Sequence, residues 1–523
     1  MVNSVLKGQK GFLLTLLLLC EMLFLAACGS GSGNGSVSPS SQATGPDLNK
    51  GTLAVSLTDA SGCDFDGVFV TIQKLRVHEN PSAAAHDGGW IEIPLPNGPQ
   101  QINLLTLQNG VMTDLGLAPL PAGHYTQVRL LLVPNDSDTP PFKNYVTVDG
   151  QASPLNIPAG FTDGIRLGHE FEIKTGEKEE LIVDFDACRS ILKAKDGSYF
   201  LRPNVLIVKR SAAGRIVGAV DATSSGAIVK AEINGYVYKQ TRIKPDGTFI
   251  LYPLPNSDMV KTLYPQDTAG TYDVVIASEV TATVLTTGVP VAAKGETALS
   301  TTTQPIALPL SAVAVLNGHI NPTSADARVR QTINGKPYQV NRHAVDLTDG
   351  SFIFSLSADA PWYGTYATTV PVSYQKELSA AAQYLVDTPN DDGLYKVSSR
   401  TVTLSKDAPT AVEFTGSASL QPASGTAGKV TGNITVADLP TGFTSGTVLV
   451  SATIGHENVN SVGVDVDKTG AVSFTLDDLA PGTYTIAILS AKGFPHLSPK
   501  GIEIVVPSTG GTFMNADFSL SHH

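Results

Sequence analysis

The chain is poor in the residues that most catalytic and metal chemistry needs. It holds four cysteines, two tryptophans, five methionines and ten histidines in 523 residues. The histidines are scattered, and there is no His-Glu-x-x-His, no Gly-x-Ser-x-Gly, no Cys-x-x-Cys and no phosphate-binding glycine loop. A catalytic set would have to be assembled from distant residues, so the sequence reads as a non-enzyme. The terminal pair His522-His523 reads as a polar tail. Basic charge is also scarce: 35 Lys and Arg stand against 47 Asp and Glu, a net charge of −12 with no basic cluster. That balance excludes nucleic acid as a partner and electrostatic docking on anionic lipid. The greasy run from Phe12 to Leu19 is interrupted by Cys20 and Glu21. It falls short of the roughly 20 apolar residues a spanning helix needs.

That short run is part of a larger pattern. Lys7 and Lys10 precede it, and Leu25-Ala26-Ala27-Cys28 follows, with Gly29-Ser30-Gly31-Ser32-Gly33 next. A basic start, a short apolar stretch and a small-residue site ending in Cys form the layout of a bacterial lipoprotein signal. On this reading residues 1–27 are a signal peptide and Cys28 becomes the lipidated first residue, an anchor to the membrane. Gly29 rather than Asp after Cys28 favours export to an outer membrane or the cell surface. Residues 28–48, rich in Gly, Ser and Pro, form a flexible tether. Loss of the signal leaves a mature net charge of −13. Of the cysteines, only Cys63 and Cys188 remain for the folded body, and an oxidising compartment favours a disulfide between them over two buried thiols.

Length suggests roughly three to five domains. The 49 glycines and 33 prolines favour short strands joined by turns. From Gly51 onward apolar and polar residues alternate: Leu53, Val55 and Leu57, then Val68, Val70 and Ile72, then Val128, Leu130 and Leu132, then Leu181, Val183 and Phe185. Alternation of this kind is that of half-buried strands, and many of them at short intervals make a β-sandwich or barrel over residues 49–210. Within it, Gly51 to Ala60, Val70 to His78, Ile102 to Leu105, Pro121 to Arg129 and Val183 to Ala187 together resemble a family of bacterial lipoprotein domains of unknown function, domain of unknown function 4382. The resemblance spans roughly residues 49 to 208. It implies location and domain limits, and no activity.

Residues 214–310, 313–418 and 426–521 carry the same markers in the same order, as a tandem array does. Each opens on a strand with a central glycine, at Gly218, Gly318 and Gly432. Each then turns before an aromatic strand, at Asp246-Gly247-Thr248-Phe249, Asp349-Gly350-Ser351-Phe352 and Thr469 to Phe474. Each reaches Gly-Thr-Tyr, ending at Tyr272, Tyr366 and Tyr484. These units resemble the carboxypeptidase-regulatory-like, transthyretin-like β-sandwich, an immunoglobulin-shaped module. The expected fold is therefore all-β: an N-terminal β-sandwich, then three tandem immunoglobulin/transthyretin-like β-sandwiches. The second copy departs most, with Ala360-Pro361-Trp362-Tyr363 at its lead-in and an insertion from Gln375 to Val386 that reads as a short helix. Short joints containing Pro, at 301–305 and 421–425, predict an extended rod.

The candidate binding residues are few. Trp362 and Tyr363, two large aromatics in a loop, suit a carbohydrate face or a protein interface, or else pack over their own sandwich. Asp64, Asp66, Asp184 and Asp186 would gather if Cys63 and Cys188 are bridged, and clustered carboxylates hold a structural Ca²⁺. They serve equally as turn caps, and no other cofactor is implied. Tyrosines in Pro-x-Gly-x-Tyr settings such as Tyr125 read as sandwich corners. The function expected is an anchored envelope or surface protein that displays binding modules, carbohydrate first, with protein adhesion or scaffolding as the alternative and a hydrolase as the remote one.

Overall fold

The computed structural model describes residues 49–521 except 61, 63, 64, 138, 222–225, 267, 370, 371, 390, 456, 493 and 495–499. The signal, Cys28, the tether, Cys63, Asp64 and His522-His523 therefore lie outside the described residues. The fold is all-β.

The first domain is a sandwich because its alternating strands each have one apolar face to bury. Strand Lys50–Asp59 lies between Thr113–Pro121, antiparallel, and Lys178–Phe185, parallel, with Val205–Lys209 at the edge. Opposite it, the long strand Gly67–His78 pairs with Gln127–Leu132 and Tyr145–Val148. Leu53, Val55, Leu57, Val68, Val70 and Ile72 meet between the two sheets in one core. One expectation needs correcting. The strand Lys50–Asp59 is half-buried only at its start; from Val55 to Asp59 every residue is buried. The outer face is covered there, since Thr58 Oγ1 donates to Leu107 O and Val111 O, and Lys239 of the first repeat reaches Asp59 O.

The three repeats share one topology. In each, the glycine-centred strand pairs antiparallel with the aromatic strand and parallel with the closing strand: Ala213–Ala219 with Thr248–Pro255 and Glu296–Ala298, Val313–Ile320 with Ser351–Ser357 and Thr410–Phe414, Gly428–Val436 with Gly470–Leu479 and Phe518–Leu520. A second sheet of four strands faces it, as in the third repeat with Glu457–Val466, Gly446–Ile454, Gly482–Ala491 and Ile502–Val506. The recurring glycine and the recurring phenylalanine are direct cross-strand partners: Gly218 with Phe249, Gly318 with Phe352, Gly432 with Phe474. A β-carbon on these glycines would lie 2.4 Å from Phe249 Cζ, 1.7 Å from Val412 O and 2.1 Å from Ala516 O. The ring lies across the bare glycine, which is why the two residues recur as a pair.

Four buried tyrosines tie a corner of each sandwich. The hydroxyls of Tyr125, Tyr272 and Tyr484 donate to Pro121 O, Pro255 O and Ala480 O at 3.1, 2.8 and 2.6 Å. In the second repeat the equivalent is Tyr384, which donates to Ser357 O at 2.6 Å, and not Tyr366 of the Gly-Thr-Tyr match. The segment expected to be helical, 375–386, is instead two strands, Gln375–Lys376 and Gln383–Asp387, around the single 3₁₀ turn Leu378–Ala380. Strand Gln383–Asp387 is needed between its neighbours Asp326–Ile333 and Ser399–Thr403, so pairing overrides the local pattern.

The extended-rod expectation is also overturned. The first domain's hairpin Ile191–Lys193 and Tyr199–Leu201 reaches both later repeats. Leu192, Ala194 and Phe200 pack with Leu347 of the second repeat and Leu449 of the third. Ser490 Oγ donates to Asp196 Oδ2 at 3.0 Å. Short Pro-containing joints limit bending at the joint itself, but the apolar face of this hairpin draws the repeats back onto the first domain.

Candidate functional site

The chemistry-bearing side chains concentrate at the joints between domains. At the joint of the first domain with the first repeat, Lys239, on the strand Tyr236–Arg242, donates from Nζ to Asp184 Oδ1 at 2.6 Å and to Asp59 O at 3.0 Å. Both side chains are 1 % exposed. Asp59 and Asp184 lie at the same end of adjacent parallel strands, Asp59 opposite Phe185 and Asp184 opposite Thr58, so their side chains leave opposite faces of the sheet. Asp59 Oδ1 accepts the Ala187 N–H at 2.9 Å, and Asp186 Oδ1 accepts that of Arg189 at 3.1 Å. Burial pushes the Asp59 carboxyl well above the usual carboxylate range and that of Asp186 up to about 6.

At the joint with the second repeat, Asp326 accepts Arg202 Nη2 of the first domain at 2.6 Å and Arg342 Nε at 2.8 Å. Arg342 and Arg189 both reach Asp391, so cations and carboxylates alternate across the boundary. Burial alone would raise the Asp326 carboxyl, but the Arg202 and Arg342 guanidiniums outweigh it and hold it below the usual range. Within the second repeat, Asp387 is enclosed by Arg328, at 2.7 Å, and Arg330. A cavity of about 990 Å³ opens among the first domain and the first two repeats, walled by Tyr199, Arg242, His343 and Phe354 among others. On its wall His319 Nδ1 lies 3.2 Å from Glu413 Oε1.

The residues singled out from sequence fall as follows. Trp362 and Tyr363 do not stand in a loop. They open the strand Trp362–Thr365, which crosses to the first repeat and extends its sheet in parallel, Val284 opposite Trp362 and Leu285 opposite Tyr363. Trp362 packs on the first repeat's core and Tyr363, one residue on, against the core on the other face. Both rings are half-buried by this packing. The acidic residues are placed as follows. Asp184 is taken by Lys239, while Asp66 accepts the Gly150 N–H at 2.9 Å as a turn cap. Asp64 lies outside the described residues, and among those described no three His, Cys, Asp or Glu side chains are placed to hold a metal. Cys188 accepts the N–H of Gly62 at 3.0 Å, which sets the residue before Cys63 against its sulfur.

Lys239, Arg202, Arg342, Asp326 and Asp387 were missed by sequence reasoning. Each sits in an alternating strand or a turn where a charged residue reads as solvent-facing, and no local signal marks it.

The pH dependence follows from these burials. A carboxyl whose folded value stands above its unfolded one favours folding while protonated. The contribution of Asp59 and Asp186 is therefore full below the ordinary carboxylate range and is lost as pH rises, through about 6 for Asp186. Asp326 has the opposite sign and is lost only as pH falls below that range. Urea midpoints are expected to decline as pH rises through about 6, and Asp186→Asn should flatten that decline. An unchanged slope in the variant would count against this assignment.

A model of the family described as Domain of unknown function (DUF4382) matches residues 50–203. No curated protein matches the chain. Among solved structures, the Bacillus anthracis TIE protein is 10 % identical, with 92 % of this chain and 76 % of that one covered, at a TM-score of 0.16. The Streptococcal ancillary pilin is 9 % identical, with 59 % and 99 % covered, at 0.16. The shaft pilin SpaA of Lactobacillus rhamnosus GG is 11 % identical, with 40 % and 98 % covered, also at 0.16. Superpositions this poor bear on neither its activity nor its partners.

Proposed function

We propose that this protein is a lipid-anchored scaffold of the envelope or cell surface, with its four sandwiches locked into one body that presents protein-binding edges. The observation that carries this is the joints themselves. A strand of the second repeat completes the first repeat's sheet, and buried ion pairs join the first domain to the first two repeats. Fixed geometry of this kind serves load-bearing or display. Carbohydrate binding, the finer alternative, would rest on what Trp362 and Tyr363 leave exposed beside that packing. The anchor is Cys28, followed by the Gly/Ser tether. A Cys63–Cys188 bridge belongs to the same reading, supported by the Gly62 contact and by a Cys188 sulfur that is already bonded. It would hold the end of the first domain's central strands together outside the cytoplasm.

The test is fractionation. Cys28→Ser should move the protein from the membrane pellet to the soluble envelope fraction or the medium, and retention in the pellet would refute the anchor. Pull-downs from envelope extracts with the wild-type body should return a specific protein. Retention on a glycan array in their place would restore the carbohydrate reading.

A further inference from the structure

Among the described residues, Lys239 and Asp184 are the only lysine and carboxylate bonded to each other with both side chains buried. The other buried carboxylates in ion pairs, Asp326 and Asp387, face guanidiniums, which stay protonated and do not act as nucleophiles. The other fully buried lysine, Lys230, donates its Nζ to a backbone carbonyl, Val340 O. At the Lys239 site the Nζ is 2.6 Å from Asp184 Oδ1, while Asp184 Oδ2 is buried with no hydrogen-bond partner among the described residues. An unsatisfied carboxyl oxygen in a buried pair is costly for a mere salt bridge. An amine held against a half-satisfied carboxyl is what such a pair presents before condensation.

We propose that Lys239 and Asp184 form a covalent side-chain cross-link, an amide between Nζ and Cγ that joins the first repeat to the first domain. The step is a condensation. In the buried pair the lysine proton passes to the carboxylate, leaving a neutral amine and a neutral acid. The Nζ lone pair attacks Cγ, the Cγ–OH bond breaks, and the hydroxyl leaves as water. The departing hydroxyl takes up the proton that nitrogen loses as the amide forms. Amine and carboxylic acid become amide and water, so no oxidant or activated donor is required. Three features favour it. The strands hold the reacting groups in contact, which supplies the proximity that a bimolecular amide synthesis lacks. Burial keeps out the bulk water that would reverse it. The product removes two buried charges at once.

The experiment is a peptide map of the full chain, purified folded, then reduced, denatured and digested with trypsin. The expected product is Glu179–Arg189 joined to Ala231–Arg242, lighter than the two peptides together by one water and uncleaved after Lys239. Lys239→Arg keeps a cation in the pair but cannot condense. It should give two separate peptides from a chain that still folds, as judged by its circular dichroism. Free Ala231–Lys239 and Glu179–Arg189 from the wild type after prolonged incubation would overturn the cross-link. None of these outcomes depends on the lipid anchor or on a binding partner, so the scaffold reading stands or falls separately.

Discussion

Relative to Lys239→Arg, which keeps the ion pair and cannot condense, Lys239→Met is expected to lower the stability of the body by about 3–5 kcal/mol, the range for removing one partner of a buried pair. The loss comes from what remains. Asp184 is 1 % exposed and among the described residues has no cation besides Lys239 within bonding distance, so its charge would be stranded between two domains. Asp59 O would lose its donor at the same time. Pairing the change with Asp184→Leu removes the stranded charge and should recover most of the loss, because two apolar groups of similar volume tolerate this site better than one carboxylate does. Urea unfolding of the two single variants and the double variant measures the coupling. Equal losses for the single and double variants would show that the lysine stem, through packing, matters more than its charge.

Gly318→Ala is expected to cost about 3 kcal/mol, at the upper end for overpacking a well-filled site. The added methyl would stand 1.7 Å from Val412 O and 2.8 Å from Val412 C, both backbone atoms, and 2.9 Å from Phe352 Cζ. A side chain can rotate away from such a contact, but the closing strand Thr410–Phe414 cannot move without breaking its parallel pairing to Val313–Ile320. Gly168→Ala is the control, since nothing lies within 4 Å of the β-carbon position there, and it should leave the thermal midpoint unchanged. If the two variants melt together, the glycine's recurrence has another cause.

Much of each sandwich was legible because its causes are local. Period-2 alternation placed Leu53, Val55 and Leu57 inward, and all three are in the first domain's core. The glycine and phenylalanine markers were found separately by recurrence, and they are ladder partners in all three repeats. Where the local reading failed, a longer-range demand had won. Gly364-Thr365-Tyr366 copies the third marker, yet Tyr384 holds the corner because the intervening segment has left its own sandwich to extend the neighbour's sheet. The 375–386 insertion contains Ala and Leu, good helix formers, but an open sheet edge offered it ladder hydrogen bonds.

The candidate site was almost wholly illegible. Asp184 was noticed for its neighbour Asp186, and the proposed consequence was metal binding. Its actual partner, Lys239, lies 55 residues away in another domain. Trp362 and Tyr363 were noticed for their size, and their destination, opposite faces of a shared strand, depended on which sheet accepted them.

The sequence by itself determined the all-β class, the repeat count, the glycine and aromatic markers of each sandwich, and the acidic, motif-poor character that argues against nucleic acid. Those properties depend on residues a few positions apart or on direct ladder partners, so pattern alone carries them. The tertiary structure decided that the repeats fold back on the first domain, that Trp362 is a joint, and that Asp184 and Lys239 meet in one buried contact beside the Asp59 carbonyl. A charged residue in an alternating strand looks the same in sequence whether its outer face meets water or another domain. Only the packing of one sandwich against the next removes the water, and with it sets the charge, the bonding and the chemistry of that site.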